Sequence, residues 1–155
     1  MTERGSSASG FPMTEDRASA LPRFEDIAEE WDLLDDWEDR YRLLIDLGRK
    51  LPAMPEALKT DATLVRGCSA SVWVYPTQDD AGKLRFAADS NAAITKGIIA
   101  LILTIVDGRA PAEILGEDIA ARLAPFELSK QLSSNRTQGI PNMIALIRAT
   151  AGRLA

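Results

Sequence analysis

Apolar residues recur at helical spacing near the start of the chain. Between Phe24 and Asp36 they stand three and four positions apart, and the same period continues from Trp37 to Leu51. Each segment is predicted to form a helix with one buried face. Residues 1–22 mix glycine, proline and small polar side chains without any period, which predicts a disordered tail. Residues 23–155 are then predicted to form the folded domain.

The middle of the chain shows the alternating pattern of antiparallel strands. Residues 71–75 are β-branched and aromatic, and residues 84–87 alternate as a return strand. A Gln-Asp-Asp-Ala-Gly sequence between them is typical of a hairpin loop. Residues 63–66 are predicted to add a short strand before the hairpin. The pattern therefore predicts a small antiparallel sheet of about three strands.

A nearly unbroken apolar run from Ala92 to Val106 follows the sheet. Lys96, Gly97 and two threonines interrupt it, which favours a buried core helix over a membrane span. The preceding Asp-Ser-Asn sequence at residues 89–91 is typical of a helix N-cap. Further helices are predicted at residues 112–115, 117–126 and 136–153. Two helices, a sheet and then several helices indicate a single α+β domain, with the sheet packed against the helices.

Charge and composition exclude several classes of function. The 155 residues are 46% hydrophobic and 26% charged, which is typical of a globular domain. The net charge of −5 disfavours nucleic acid and anionic membranes as partners. Nine acidic residues stand against one basic residue between Arg23 and Asp39. We interpret them first as a solvated helix face and second as a docking surface.

The only cysteine, Cys68, follows a glycine and lies between the strands predicted at residues 63–66 and 71–75. By residue type alone, a free cysteine is more often a small buried hydrophobe than a nucleophile. The chain has no histidine, so it contains no Cys-His dyad, and one cysteine allows no internal disulfide or cysteine-ligated cluster. Any chemistry here is therefore that of a lone thiolate, by attack or by carriage on sulfur. A working free thiol and the lack of a signal-peptide pattern predict a cytoplasmic location.

Five sequence blocks stand out, at residues 41–52, 65–73, 88–97, 108–115 and 132–139. The central block reads Val-Arg-Gly-Cys-Ser-Ala-Ser-Val-Trp. In this order the blocks resemble the SufE family of sulfur acceptors for cysteine desulfurases, and the central block is similar to the family's V-x-G-C-x-S-x-V-W motif. The chain departs from the family pattern at Ser69-Ala70-Ser71, where Gln-Ser-Gln is usual, at Asn91 in place of Asp, and at Ser134-Asn135 in place of Pro-Ser.

The resemblance implies that Cys68 receives sulfur as a persulfide from a pyridoxal-phosphate cysteine desulfurase and stimulates that enzyme. The sulfur would then pass to a scaffold complex for iron–sulfur cluster assembly. The resemblance implies no cofactor in this chain, since the pyridoxal phosphate belongs to the desulfurase. This describes a sulfur-transfer protein rather than a stand-alone enzyme. The alternative is an interaction module that activates the desulfurase without carrying sulfur. An independent thiol enzyme is disfavoured because the chain supplies no base.

Two arginines are candidates for supporting the thiol. The resemblance implies that Arg136 faces the desulfurase, where a guanidinium can pair with a carboxylate or favour a thiolate. Arg66 lies two residues before Cys68, so extended backbone over residues 65–68 would direct both side chains to the same face. We therefore predict Cys68 as the functional thiol, with Arg136 and Arg66 in partner-binding or supporting roles.

Overall fold

The computed structural model places helices around a two-stranded antiparallel sheet and describes residues 21–67, 70–132, 137 and 139–155. The α+β class predicted from the sequence is confirmed. Short 3₁₀ turns cover Glu56–Leu58 and Ala124–Phe126. The described helices and strands, in chain order, are α1 Phe24–Leu33, α2 Trp37–Arg49, β1 Val72–Gln78, β2 Leu84–Ser90, α3 Ala93–Val106, α4 Pro111–Leu115, α5 Ile119–Leu123, α6 Leu128–Gln131 and α7 Gly139–Leu154.

The apolar period predicts that the first helix runs to Asp36. In the structure α1 is shorter, and a short connection joins it to α2. Asp36 is the N-cap of α2, and its carboxylate accepts a hydrogen bond of 3.1 Å from the backbone N–H of Glu38. An N-cap residue needs non-helical backbone, so α1 has to end before it. It ends at Leu33, and Leu34 is extended with φ −92° and ψ 123°.

Helix α1 is attached to the domain by aromatic contacts. Its Phe24 and Trp31 lie with ring centroids 5.7 Å and 5.0 Å from that of Phe126. Leu21, just before the helix, is half-buried and packs against the same core. The prediction of a disordered tail falls mainly on residues 1–20, which lie outside the described residues, and it stays a prediction.

Helix α3 forms the centre of the core, as its apolar run predicts. Nine of its residues are buried, and the stretch from Ile98 to Leu103 is at most 3% exposed. The helix crosses α2 with the two backbones in direct contact. A Cβ atom on Gly97 would overlap the carbonyl oxygen of Leu44, and a Cβ on Gly48 would lie 2.8 Å from the backbone nitrogen of Gly97. Glycine is therefore required on both helices for this close approach. Among the described helices, none is long and apolar enough to cross a membrane.

Substitution of Gly97 by alanine is expected to destabilise the fold, because the new methyl group meets backbone that no side-chain rotation can move aside. Overpacking of this kind lowers the free energy of unfolding by about 1–3 kcal/mol. The matched control is Gly152→Ala in α7, where a Cβ has nothing within 4 Å. That change should leave stability unchanged or raise it by up to about 1 kcal/mol, through helix propensity. Urea unfolding of both variants checks the pair, and a Gly97→Ala protein as stable as wild type would contradict the crossing geometry.

The sheet contains two strands within the described chain. β1 and β2 pair from Val72 opposite Ser90 to Gln78 opposite Leu84. The strand predicted at residues 63–66 is reduced to one isolated bridge between Leu64 and Trp73. Turns occupy residues 61–63 on one side of it and residues 66–67 on the other. The expected count of about three strands is thereby corrected, because the turns leave too short an extended stretch for a continuous ladder.

Candidate functional site

The described residues on either side of Cys68 form the two arms of one loop. The backbone N–H of Val65 donates to the carbonyl of Val72 at 2.8 Å, and that of Val74 donates to Thr63 at 2.9 Å. The first arm is residues 59–67, and the second arm, residues 70–71, leads into β1; Cys68 and Ser69 between them lie outside the described residues. The base of the loop is therefore anchored to β1.

A glycine turn against helix α7 shapes the arm before Cys68. Gly67 has φ +85°, a left-handed conformation that favours glycine, and a Cβ there would overlap the side-chain amide of Asn142. Arg66 is exposed in the same turn. The backbone at Gly67 is thus not extended, so the condition under which Arg66 and Cys68 would share a face is not met. A supporting role for Arg66 stays a prediction.

Asn91 holds the arm after Cys68. The side-chain oxygen of Asn91 accepts a hydrogen bond of 3.1 Å from the backbone N–H of Ser71. The backbone N–H of Asn91 donates to the Ser71 carbonyl at 3.3 Å. The predicted capping role of residues 89–91 is wrong, because the N-cap of α3 is Ala92, without a side-chain cap. The polar residues at the end of β2 instead anchor the loop.

A buried carboxylate lies beside the loop base. Asp89 is 8% exposed, with one oxygen 2.8 Å from Lys59 Nζ and the other 3.2 Å from Lys96 Nζ. The backbone N–H of Ser90 also donates to Asp89, at 2.8 Å. Burial raises the pKa of the Asp89 carboxyl, but the hydrogen bonds from Lys59, Ser90 and Lys96 outweigh it and hold the pKa below its usual value. The carboxylate therefore stays ionised at neutral pH.

Lys59 links this carboxylate to two further groups. Its Nζ lies 2.8 Å from Glu56 and 5.4 Å from the ring centroid of Trp73. Hydrogen bonds to Asp89 and then to Glu56 raise the Lys59 pKa above its usual value. Sequence analysis missed this cluster, because nothing in the sequence relates Lys59 to Asp89. The local Asp-Ser-Asn pattern predicts a helix cap instead.

The second predicted arginine, Arg136, lies outside the described residues. Of its block, Leu132 is buried, and α7 begins at Gly139 with Pro141 inside its first turn, where proline is tolerated. An apolar groove of about 660 Å³ runs beside this block. Its walls come from α5, α6, the 3₁₀ turn between them and α7, and include Leu123, Leu128, Thr137, Ile140, Pro141 and Ile144.

Comparison with known proteins identifies the family. The model of the SufE family, described as an Fe-S metabolism associated domain, matches residues 25–151. That match spans nearly the whole described domain and includes the loop around Cys68. The chain belongs to the SufE family.

Two relatives agree with this assignment, and one solved structure shares the fold. A SufE-like protein of Rhizobium meliloti is 38% identical over 138 residues, covering 86% of this chain and 99% of the relative. The sulfur acceptor protein CsdE of Escherichia coli is 41% identical over 118 residues, covering 76% of this chain and 80% of CsdE. The solution structure of a hypothetical protein from Thermus thermophilus has a TM-score of 0.68 at 18% identity, covering 86% of this chain and 96% of that one. The last likeness concerns the fold alone.

Proposed function

We propose that this protein accepts persulfide sulfur from a pyridoxal-phosphate cysteine desulfurase on Cys68, stimulates that enzyme, and passes the sulfur on for iron–sulfur cluster assembly. The observation that carries the proposal is the position of the only cysteine. Cys68 lies within the family motif. The loop arm before it is hydrogen-bonded to β1, and the arm after it is hydrogen-bonded to Asn91. The similarity to a sulfur acceptor protein over most of the domain supports the same role.

The transfer step is an exchange between sulfur atoms. The Cys68 thiolate attacks the terminal sulfur of the donor persulfide, the donor's S–S bond breaks, and the donor cysteine leaves as a thiolate. A new S–S bond on Cys68 replaces the broken one, so no external oxidant or reductant is needed. A second thiol nearby would discharge the persulfide as a disulfide. A carrier with one cysteine avoids that loss.

The proposal places the protein with a cysteine desulfurase upstream and a scaffold complex downstream, in the cytoplasm. The pyridoxal phosphate stays in the desulfurase. The second candidate function is activation of the desulfurase without sulfur carriage. The near-complete match to the family model favours it too, since a docking domain needs the same fold.

Intact-mass measurement separates the two candidates. The purified protein is incubated with a cysteine desulfurase and cysteine, and its intact mass is measured before and after reduction. The carrier proposal expects a gain of one sulfur atom that reduction removes. A protein that stimulates desulfurase turnover but never gains sulfur would be an activator only.

Arg136 is expected to contribute to desulfurase docking. Residues 128–155 contain four basic side chains and no acidic ones, so this segment of an acidic protein can present positive potential. Loss of one charge-assisted contact costs about 1–3 kcal/mol, so Arg136→Ala should weaken binding by about ten- to a hundredfold. High salt should reduce the difference in desulfurase affinity between variant and wild type, because salt screens the wild-type contact.

Calorimetric titration with the desulfurase at two ionic strengths checks this expectation. Arg153→Ala is the matched control, since Arg153 is an exposed arginine of the same basic region. Unaltered affinity of Arg136→Ala together with a lowered melting midpoint would assign Arg136 to the fold instead.

A further inference from the structure

The arm that leads into the cysteine loop has few backbone ties to the sheet. Between the 3₁₀ turn at Glu56–Leu58 and Gly67 it contributes two backbone hydrogen bonds to β1, which together form the isolated bridge between Leu64 and Trp73. A segment with so little backbone pairing depends on side chains to hold its position. Lys59 is the side chain that reaches from this arm to the end of β2.

The Lys59–Asp89 contact is shielded from water. The side chains are 19% and 12% exposed, and their charged atoms lie 2.8 Å apart. A charge pair with this burial is screened less than one at the surface. Lys96 of α3 holds the second oxygen of the same carboxylate, so Asp89 has limited freedom to move.

Asp89 also stands at the point where both arms meet. It lies opposite Trp73 in the sheet register, and Trp73 is in turn bridged to Leu64 of the first arm. Two residues further on, Asn91 holds Ser71 of the second arm. The end of β2 therefore acts on the loop from both sides, through Asp89 on the first arm and Asn91 on the second.

We propose that Asp89 and Lys59 are positioning residues, whose ion pair fixes the first arm of the loop and so orders the loop for sulfur transfer. The inference rests on the proposed function but concerns residues that the sulfur does not touch. Small displacements of a reacting group reduce rates strongly. Loss of the pair should thus slow transfer while leaving desulfurase affinity unchanged, because both side chains are largely covered.

The test uses Asp89→Asn, Lys59→Met and Lys59→Arg in the full chain. The first two should lower the saturating rate of sulfur transfer by about tenfold. Combining them should cause no loss beyond that of Asp89→Asn, since that change already removes the contact with Lys59. Lys59→Arg keeps a cation within reach of Asp89 and should restore most of the rate. Asp46→Asn is the matched control, because it removes an exposed carboxylate that pairs with Arg49 at 3.2 Å on α2. Its rate should equal that of wild type.

Alkylation of Cys68 by iodoacetamide gives a second readout that needs no desulfurase. Well below the melting midpoints, the alkylation rate of Cys68 in Asp89→Asn and in Lys59→Met should differ from the rate shared by wild type, Lys59→Arg and Asp46→Asn. The inference would be overturned if Asp89→Asn and Lys59→Met both had the wild-type rates of sulfur transfer and alkylation. It would also be overturned if Lys59→Arg transferred sulfur as slowly as Lys59→Met. If the wild-type protein takes up no sulfur, the proposed function fails, and alkylation still tests the ordering of the loop.

Discussion

Replacement of Cys68 by serine is expected to abolish sulfur uptake without unfolding the protein. Serine keeps the size of the side chain, but at neutral pH its hydroxyl is not a nucleophile comparable to a thiolate. Because the chain has no other cysteine, the variant contains no thiol at all. Intact mass after incubation with a cysteine desulfurase and cysteine should show no added sulfur, whereas the melting midpoint should stay close to that of wild type.

A neighbouring substitution provides the control for this experiment. Ala70→Ser changes the same loop, places the residue usual in the family at that position, and leaves the thiol intact. It should take up sulfur as wild type does. Full stimulation of desulfurase turnover by Cys68→Ser would overturn the carrier proposal and favour the activator.

The largest expected loss of stability follows truncation of Leu101 to alanine. Leu101 is fully buried in the middle of α3. Removing a buried leucine costs its transfer free energy and leaves a cavity, together about 2–5 kcal/mol. Ile98 is 3% exposed, so the loss of stability in Ile98→Ala should fall in the same range. Urea unfolding should show a lower midpoint with an unchanged slope.

Leu33→Ala is the matched control for this prediction. Leu33 is 78% exposed at the end of α1, so its truncation should change the free energy of unfolding by less than about 0.5 kcal/mol. An unchanged midpoint for Leu101→Ala would mean that α3 is not the centre of the core.

Local sequence was enough to predict most elements of this fold. The periods at residues 24–36 and 92–106 identify helices because one face, or nearly the whole surface, of each must be buried. The β-branched and aromatic residues at 71–75 and the alternation at residues 84–87 identify the two strands of the hairpin. The family resemblance directed attention to Cys68. These predictions depend only on residues that are close together in the sequence, so the sequence alone supports them.

Contacts between distant residues decided the rest. The close crossing of α2 and α3 at Gly48 and Gly97, and the anchoring of Ser71 by Asn91, join residues far apart in the chain. The ion pair between Lys59 and Asp89 is of the same kind, and the local Asp-Ser-Asn pattern suggested a cap because capping is the commonest short-range use of such residues. Whether a carboxylate caps a helix or binds a lysine thirty positions earlier depends on which group the fold brings within about 3 Å. Only the tertiary structure determines that distance.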